Sequence, residues 1–302
     1  MFVYSSVKNL TLAMRHGKLG VVYRTLTNLK LKKYVGRIFH HIQANKERKN
    51  PTEEMLSSRE YYKSHQSEIK HVCALLEDEE SVKVYKAMWK FRCTHDYKCL
   101  PKVEEEKQYF GYDFFKYQEG EKLIDCGAYD GDTIDAFEKC MRRHGIKDYS
   151  VVAFEADPEN ARFIEGRKNV LLISKGVWDS ETKLRFYAEN GADGKLVDSI
   201  GTGAKINDSN VINIPVCRID DRKECSKATI LKMDIEGAEW NALHGAERLI
   251  RDEHPKLAIC LYHSDEDMVR IVRWIDSLKL GYRFYIRQHS DTRHETVIYG
   301  IL

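Results

Sequence analysis

Glu121-Lys-Leu-Ile-Asp-Cys-Gly-Ala-Tyr-Asp-Gly-Asp-Thr133 decides how the rest of the chain is read. Leu123 and Ile124 running into Asp125 read as a short buried strand, Gly127 and Gly131 punctuate a turn, and Thr133 is placed to cap the helix that follows. Strand, glycine turn and helix build the nucleoside pocket of a doubly wound sheet, because glycine lets the backbone turn tightly and come close to a ligand. A dinucleotide fingerprint needs glycine at the third and sixth places counted from the first, so that a pyrophosphate rests on bare amides. Here those places hold Tyr129 and Asp132. Asp125, Asp130 and Asp132 would repel a diphosphate. They suit a phosphate-free ligand with a cationic end, such as S-adenosyl-L-methionine with its ammonium and sulfonium groups. A plain strand-to-helix turn, with aspartates as caps and solvated charges, would read the same from this stretch alone.

Downstream of residue 119 strands and helices alternate, the pattern of a mainly parallel sheet covered on both faces. A helix over 133–144 presents Ile134, Phe137 and Met141 inward, and residues 149–155 form the second strand. A helix starting at Asp157-Pro158 follows, then a third strand over 170–177. Further strands are expected over 183–188 and 211–219, around a glycine-rich loop at 190–205. The fourth main strand is 229–234, a helix covers 239–251, and a fifth strand covers 256–262. Ser264 and Asp267 make a capping box for the helix carrying Met268, Ile271, Val272 and Ile275. Two last strands, 282–287 and 295–301, are joined by a connection too short to cross over, so they must pair antiparallel. The expected fold is α/β: a doubly wound, mainly parallel sheet with a C-terminal antiparallel hairpin, of the methyltransferase-type Rossmann-like kind. An all-helical N-terminal segment precedes it.

The chain has 302 residues, 42% hydrophobic and 32% charged, the composition of a globular protein with room for one α/β domain and an accessory piece. Its formal charge of +2 conceals an asymmetry, since residues 1–50 hold eleven Lys or Arg against Glu47 alone. Leu19, Val22, Leu26 and Leu29 recur at helical spacing between those basic residues. Such a segment over 1–45 could lie on an anionic membrane face or pack on the body or a partner. The expected divisions are this basic segment (1–50), a helical accessory region (51–118) and the sheet domain (119–302). Eight cysteines without a C-x-x-C pair suit reduced thiols, and no apolar run approaches a bilayer span. The expected location is cytoplasmic, with possible peripheral contact at the inner membrane face.

In an open α/β sheet, ligands bind beyond the carboxyl ends of the strands, which here carry Asp125, Glu155, Asp234, His263, His289 and Glu295. Glu155 is placed to accept hydrogen bonds from both ribose hydroxyls, or to act as a helix N-terminal acid. The Trp178 ring could cover an adenine, or be a partly buried aromatic. Asp234, Glu236 and His263 are the candidate catalytic groups, since an alcohol nucleophile needs a base as the methyl arrives. His263 has the more suitable intrinsic pKa, and it could equally cap the helix after Ser264. Asp234, Glu236, His263 and His289 could also gather a divalent metal, although their spacing fixes no ligand set. Cys93, His95 and Cys99 lack a fourth zinc ligand and are taken as ordinary residues.

The segments 125–133, Phe-Glu-Ala-Asp-Pro-Glu-Asn (154–160), Ile-Asp-Asp (219–221), Leu-Lys-Met-Asp-Ile-Glu-Gly-Ala-Glu (231–239) and Leu-Tyr-His (261–263) resemble, in order and spacing, the FkbM-type methyltransferases. The likeness covers about residues 80–302. It implies an S-adenosyl-L-methionine-dependent O-methyltransferase acting on a hydroxyl of a sugar, glycan or glycolipid, with Asp125, Gly127, Gly131 and Glu155 at the cofactor. Tyr129, Ala156, Trp178 and Asp234 complete the expected cofactor wall. Ala156 stands where the family often has proline, and Gln288 where histidine is common. Two other classes remain to be separated from this reading. A nucleotide-dependent dehydrogenase would need glycine in place of Tyr129 and Asp132. A nucleic-acid-binding module would use the basic N-terminus, although the acidic remainder argues against a duplex lying across the catalytic face.

Overall fold

The computed structural model describes residues 51–187, 195–196 and 211–302. The basic segment 1–50 lies outside the described residues, with its expected membrane contact, and so does nearly all of the 190–205 loop.

Seven strands form the main sheet: β1 (Glu121–Cys126), β2 (Tyr149–Phe154), β3 (Val170–Ile173), β8 (Ile230–Met233), β9 (Lys256–Cys260), β10 (Arg283–Gln288) and β11 (Thr296–Ile301). Their order is β10-β11-β9-β8-β1-β2-β3. β1 pairs in parallel with β2 and β8, and β8 with β9. β11 runs antiparallel to both β10 and β9, so the closing hairpin is the one expected. Every residue of β8 is buried, as befits a parallel strand covered on both faces. Helix α4 (Asp132–Arg143) buries Ile134, Phe137 and Met141 on one stripe.

Local expectations change in four places. Thr133 does not cap α4; Gly131 takes the cap position at φ 88°, and the Thr133 amide donates to Asp132 Oδ1 at 2.6 Å. The expected third strand divides at Ser174-Lys175, where the Lys175 amide bonds the Ile173 carbonyl at 2.8 Å and redirects the chain. Its second part, β4 (Gly176–Val177), joins β5 (Thr182–Tyr187), β6 (Lys195–Leu196) and β7 (Val211–Cys217) in a second sheet of order β4-β7-β5-β6. The expected helix over 239–251 is two helices, α6 (Glu239–His244) and α7 (Glu247–Glu253), and α5 (Pro158–Ala161) is a single turn.

The fourth change is upstream. Helices α1 (Glu53–Ser64), α2 (Gln66–Leu75) and α3 (Glu79–Thr94) are helical as expected, but between Thr94 and β1 there are only two short 3-10 turns in irregular chain. Tyr109, Phe110, Tyr112 and Phe115 of that stretch are buried with Tyr285 and Tyr299 of the sheet, and aromatic packing replaces helical periodicity there. Ile69, Val72, Val84 and Met88 from α2 and α3 share one core with Leu257, Ile259 and Ile286. They also share it with Ile271 of α8 (Asp267–Ser277). The helical region is therefore continuous with the sheet domain in its packing.

Candidate active site

The turn after β1 is held by cations on its carbonyl side. Asp125 and Lys232 are cross-strand neighbours in the β1–β8 register, and Lys232 Nζ lies 2.9 Å from Asp125 Oδ1. The same ammonium donates to the carbonyl oxygens of Gly127 at 2.9 Å and Cys126 at 3.4 Å. From outside, Arg167 reaches the carbonyls of Gly131 and Asp130, each at 3.3 Å, and the Asp135 carboxylate at 2.7 Å. Gly127 sits at φ 78° so close to β8 that a Cβ there would stand 1.9 Å from the Asp234 carbonyl oxygen.

The amides of Gly127, Ala128, Tyr129, Gly131 and Asp132 in the turn are already engaged. Gly127 and Ala128 donate to the Phe154 carbonyl, Gly131 to the Ala128 carbonyl, and Asp132 to the Asp130 carboxylate. Tyr129 donates to Glu155 Oε2 at 2.7 Å, and Glu155 Oε1 accepts from Asp157 at 2.8 Å. A pyrophosphate would find these donors occupied, whereas Glu155 keeps a spare lone pair on each oxygen for a hydroxyl donor. Glu155 is 8% exposed, and its burial lifts its carboxyl above the usual range against the pull of those two amides.

A cavity of about 820 Å³ opens beyond the strand ends. Its wall includes Gly127, Tyr129, Asp132, Glu155, Ala156, Trp178, Asp234 and Glu236. Leu184, Phe186, Ile212, Ile214 and Val216 of the second sheet make an apolar side, and Gln108, Tyr109, Tyr262, His294 and Glu295 a polar one. Two expected cofactor residues are not on the cavity wall. Asp125 is fully buried against Lys232, and Gly131 lies beneath the Arg167 guanidinium. Both act on the turn from behind it.

Asp234 is the centre of the polar end. Its Oδ1 accepts from the Tyr262 hydroxyl at 2.7 Å and its Oδ2 from the Tyr109 hydroxyl at 3.0 Å. Burial opposes ionisation, but Lys232, His263 and the two hydroxyls prevail and hold its carboxyl below the usual range. His263 lies behind the wall, its side chain 7% exposed. Its Nδ1 is 3.1 Å from Glu239 Oε1, and its Nε2 is 3.5 Å from Glu236 Oε2 and 3.8 Å from Asp234 Oδ1. Burial would lower its pKa, but the Glu239, Glu236 and Asp234 carboxylates raise it well above the ordinary histidine value. Glu295, hydrogen-bonded by the Gln108 amide, is pushed up to about 7 by burial and by the Asp234 charge.

His289 does not join this cluster, which corrects its place in the possible metal set. Its Nδ1 donates to the Glu104 carbonyl at 2.9 Å, and its Nε2 accepts from the Tyr299 hydroxyl at 2.8 Å. The Tyr299 oxygen in turn accepts from the Tyr109 amide at 3.0 Å. Tyr109, Tyr129, Glu236 and Glu295 all stand on the cavity wall with left-handed backbone, at φ 62°, 48°, 57° and 64°. Strained non-glycine positions collect where surrounding structure holds functional groups in place. Lys232, Tyr109 and Tyr262 were not singled out from sequence. Lys232 had a signal, a lysine in the middle of a strand otherwise apolar and buried.

A model of the methyltransferase FkbM domain matches residues 125–284. Among solved structures, a methyltransferase FkbM from Methylobacillus flagellatus KT is similar to this chain at 24% identity and a TM-score of 0.65. The match covers 79% of this chain and 59% of that one, so the chain spans a little over half the length of this relative. A Clostridium thermocellum protein described as an rRNA methylase aligns at 9% identity and TM-score 0.35, over 67% of this chain and 98% of that one. The CMeT domain of the citrinin polyketide synthase aligns at 8% identity and TM-score 0.32, over 73% and 65%. No curated protein matches.

Proposed function

Because the chain belongs to the FkbM methyltransferase family, we propose that it transfers a methyl group from S-adenosyl-L-methionine to a hydroxyl of a sugar, glycan or glycolipid. The observation that carries this reading is the occupied set of turn amides beside a buried Glu155, which suits a nucleoside without phosphates. Glu155 would take the ribose hydroxyls, with Tyr129, Ala156 and Trp178 around the base. When bound, S-adenosyl-L-methionine supplies an activated methyl on a sulfonium leaving group. Asp234 keeps an anionic, tyrosine-bonded face toward that positive end. An acceptor oxygen at the polar end would have Asp234, Glu236 and Glu295 within the same wall to take its proton. Orientation then supplies much of the rate. The apolar side offered by the second sheet supports an acceptor with a hydrocarbon face beside its hydroxyls, as a sugar ring or a glycolipid has.

Calorimetry of the purified protein tests this reading. S-adenosylhomocysteine is expected to bind and NAD to give no heat, with Glu155→Ala weakening the former at least about tenfold by loss of charge-assisted hydrogen bonds. Binding of NAD in preference, or indifference of both ligands to Glu155→Ala, overturns the assignment. No helix among the described residues is long and apolar enough to cross a membrane.

A further inference from the structure

Asp234, Glu239 and His263 offer atoms that all lie within 4.8 Å of one another, and Glu236 Oε2 adds a third carboxylate 3.5 Å from His263 Nε2. Three carboxylates around one imidazole leave excess negative charge in a buried place. Lys232 acts on Asp234 from a distance but offsets only one of these charges, and its ammonium is engaged by Asp125 and two carbonyl oxygens. Neither ring nitrogen of His263 has a geometrically sound hydrogen bond, although the side chain is more than nine-tenths buried. Buried imidazoles ordinarily find partners.

The geometry points to a divalent-cation site in which Asp234, Glu239 and His263 supply the donors and the Glu236 carboxylate stands beside the imidazole. Metal–oxygen bonds of about 2.1 Å place neighbouring donors about 3.0 Å apart and opposite ones about 4.2 Å apart. The imidazole lies 3.1 Å from Glu239 Oε1 through Nδ1 and 3.8 Å from Asp234 Oδ1 through Nε2, separations between these limits. Glu239 Oε1 is bonded by the Ile235 amide at 2.8 Å, and its buried Oε2 has no hydrogen-bond partner among the described residues and is free to meet an ion. Two oxygens and one imidazole select a hard or borderline ion such as Mg²⁺ or Mn²⁺. Asp234 also faces the cavity, so the ion would have an open side toward it. There it would lower the pKa of a coordinated acceptor hydroxyl, a use that rests on the methyl-transfer reading; the binding itself does not.

Chelator-stripped, full-length protein is titrated with Mn²⁺ while the electron paramagnetic resonance signal of the free ion is followed. The wild type is expected to remove a single ion per chain. His263→Ala, Asp234→Asn and Glu239→Gln should each weaken that binding at least about tenfold. Glu155→Ala, on the cofactor wall, should keep Mn²⁺ binding while losing S-adenosylhomocysteine, which separates this site from the cofactor assignment. Bound Mn²⁺ should also broaden the proton resonances of the His263 ring. A wild type that takes up no Mn²⁺ at millimolar concentration, or one whose His263 resonances stay sharp with Mn²⁺ bound, overturns the proposal without recourse to any variant.

Discussion

His289 shows how a single protonation state holds a remote part of the site. Its neutral ring donates to one carbonyl and accepts from Tyr299, which positions the Tyr109 amide and, through that residue, a hydroxyl on Asp234. Burial lowers the His289 pKa from 6.5 to about 4. The unfolded chain therefore binds a proton in that window when the folded one does not, so the contribution is complete above pH 6.5 and is lost as pH falls toward 4. The loss amounts to roughly 3 kcal/mol. Urea unfolding from pH 7 to 4 should show a steeper decline for the wild type than for His289→Gln; parallel slopes would refute the account. At this scale the sequence was informative where a residue type has a restricted use. Gly127, Glu155 and Asp234 could be named because glycine turns and acids at strand ends have few roles. Lys232 and Tyr109 could not, since their importance comes from a cross-strand register and from a left-handed backbone position in irregular chain.

Between elements, the contact that decides the arrangement is α3 on β10. Asp78 caps α3 through the Ser81 amide at 2.7 Å and pairs with Arg287 of β10 at 2.6 Å, while Ser81 Oγ accepts from the Ile286 amide at 2.9 Å. One carboxylate thus ends a helix and neutralises a guanidinium only 9% exposed. Asp78→Ala should cost at least about 2 kcal/mol, combining a lost cap with an unpaired buried charge. Asp78→Asn, which keeps the cap, should cost less. Chemical denaturation measures both, and equal losses would show that the ion pair contributes nothing. Elements with a long apolar stripe, such as α4 and α8, were legible from spacing. β4 was not, because two residues carry no periodicity and only their pairing with β7 defines them.

At the level of the whole molecule, the change of pattern near residue 119 does not separate two cores. Ile69, Val84 and Met88 meet Leu257 and Ile286 directly, so a chain restricted to residues 119–302 would leave that face of the sheet in water. Such a fragment is expected to lack a cooperative urea transition in near-ultraviolet circular dichroism. A sharp transition at the midpoint of the longer chain would show the helices to be dispensable.

The position of β11 between β9 and β10 also bears on the order in which a nascent chain acquires its shape. β10 emerges from the ribosome before the strand that will seat it, and it must wait at a distance from the sheet until residues 296–301 have been made. Helix α3, although synthesised early, docks on β10, so that part of its packing is secured only after the C-terminal strands have been made.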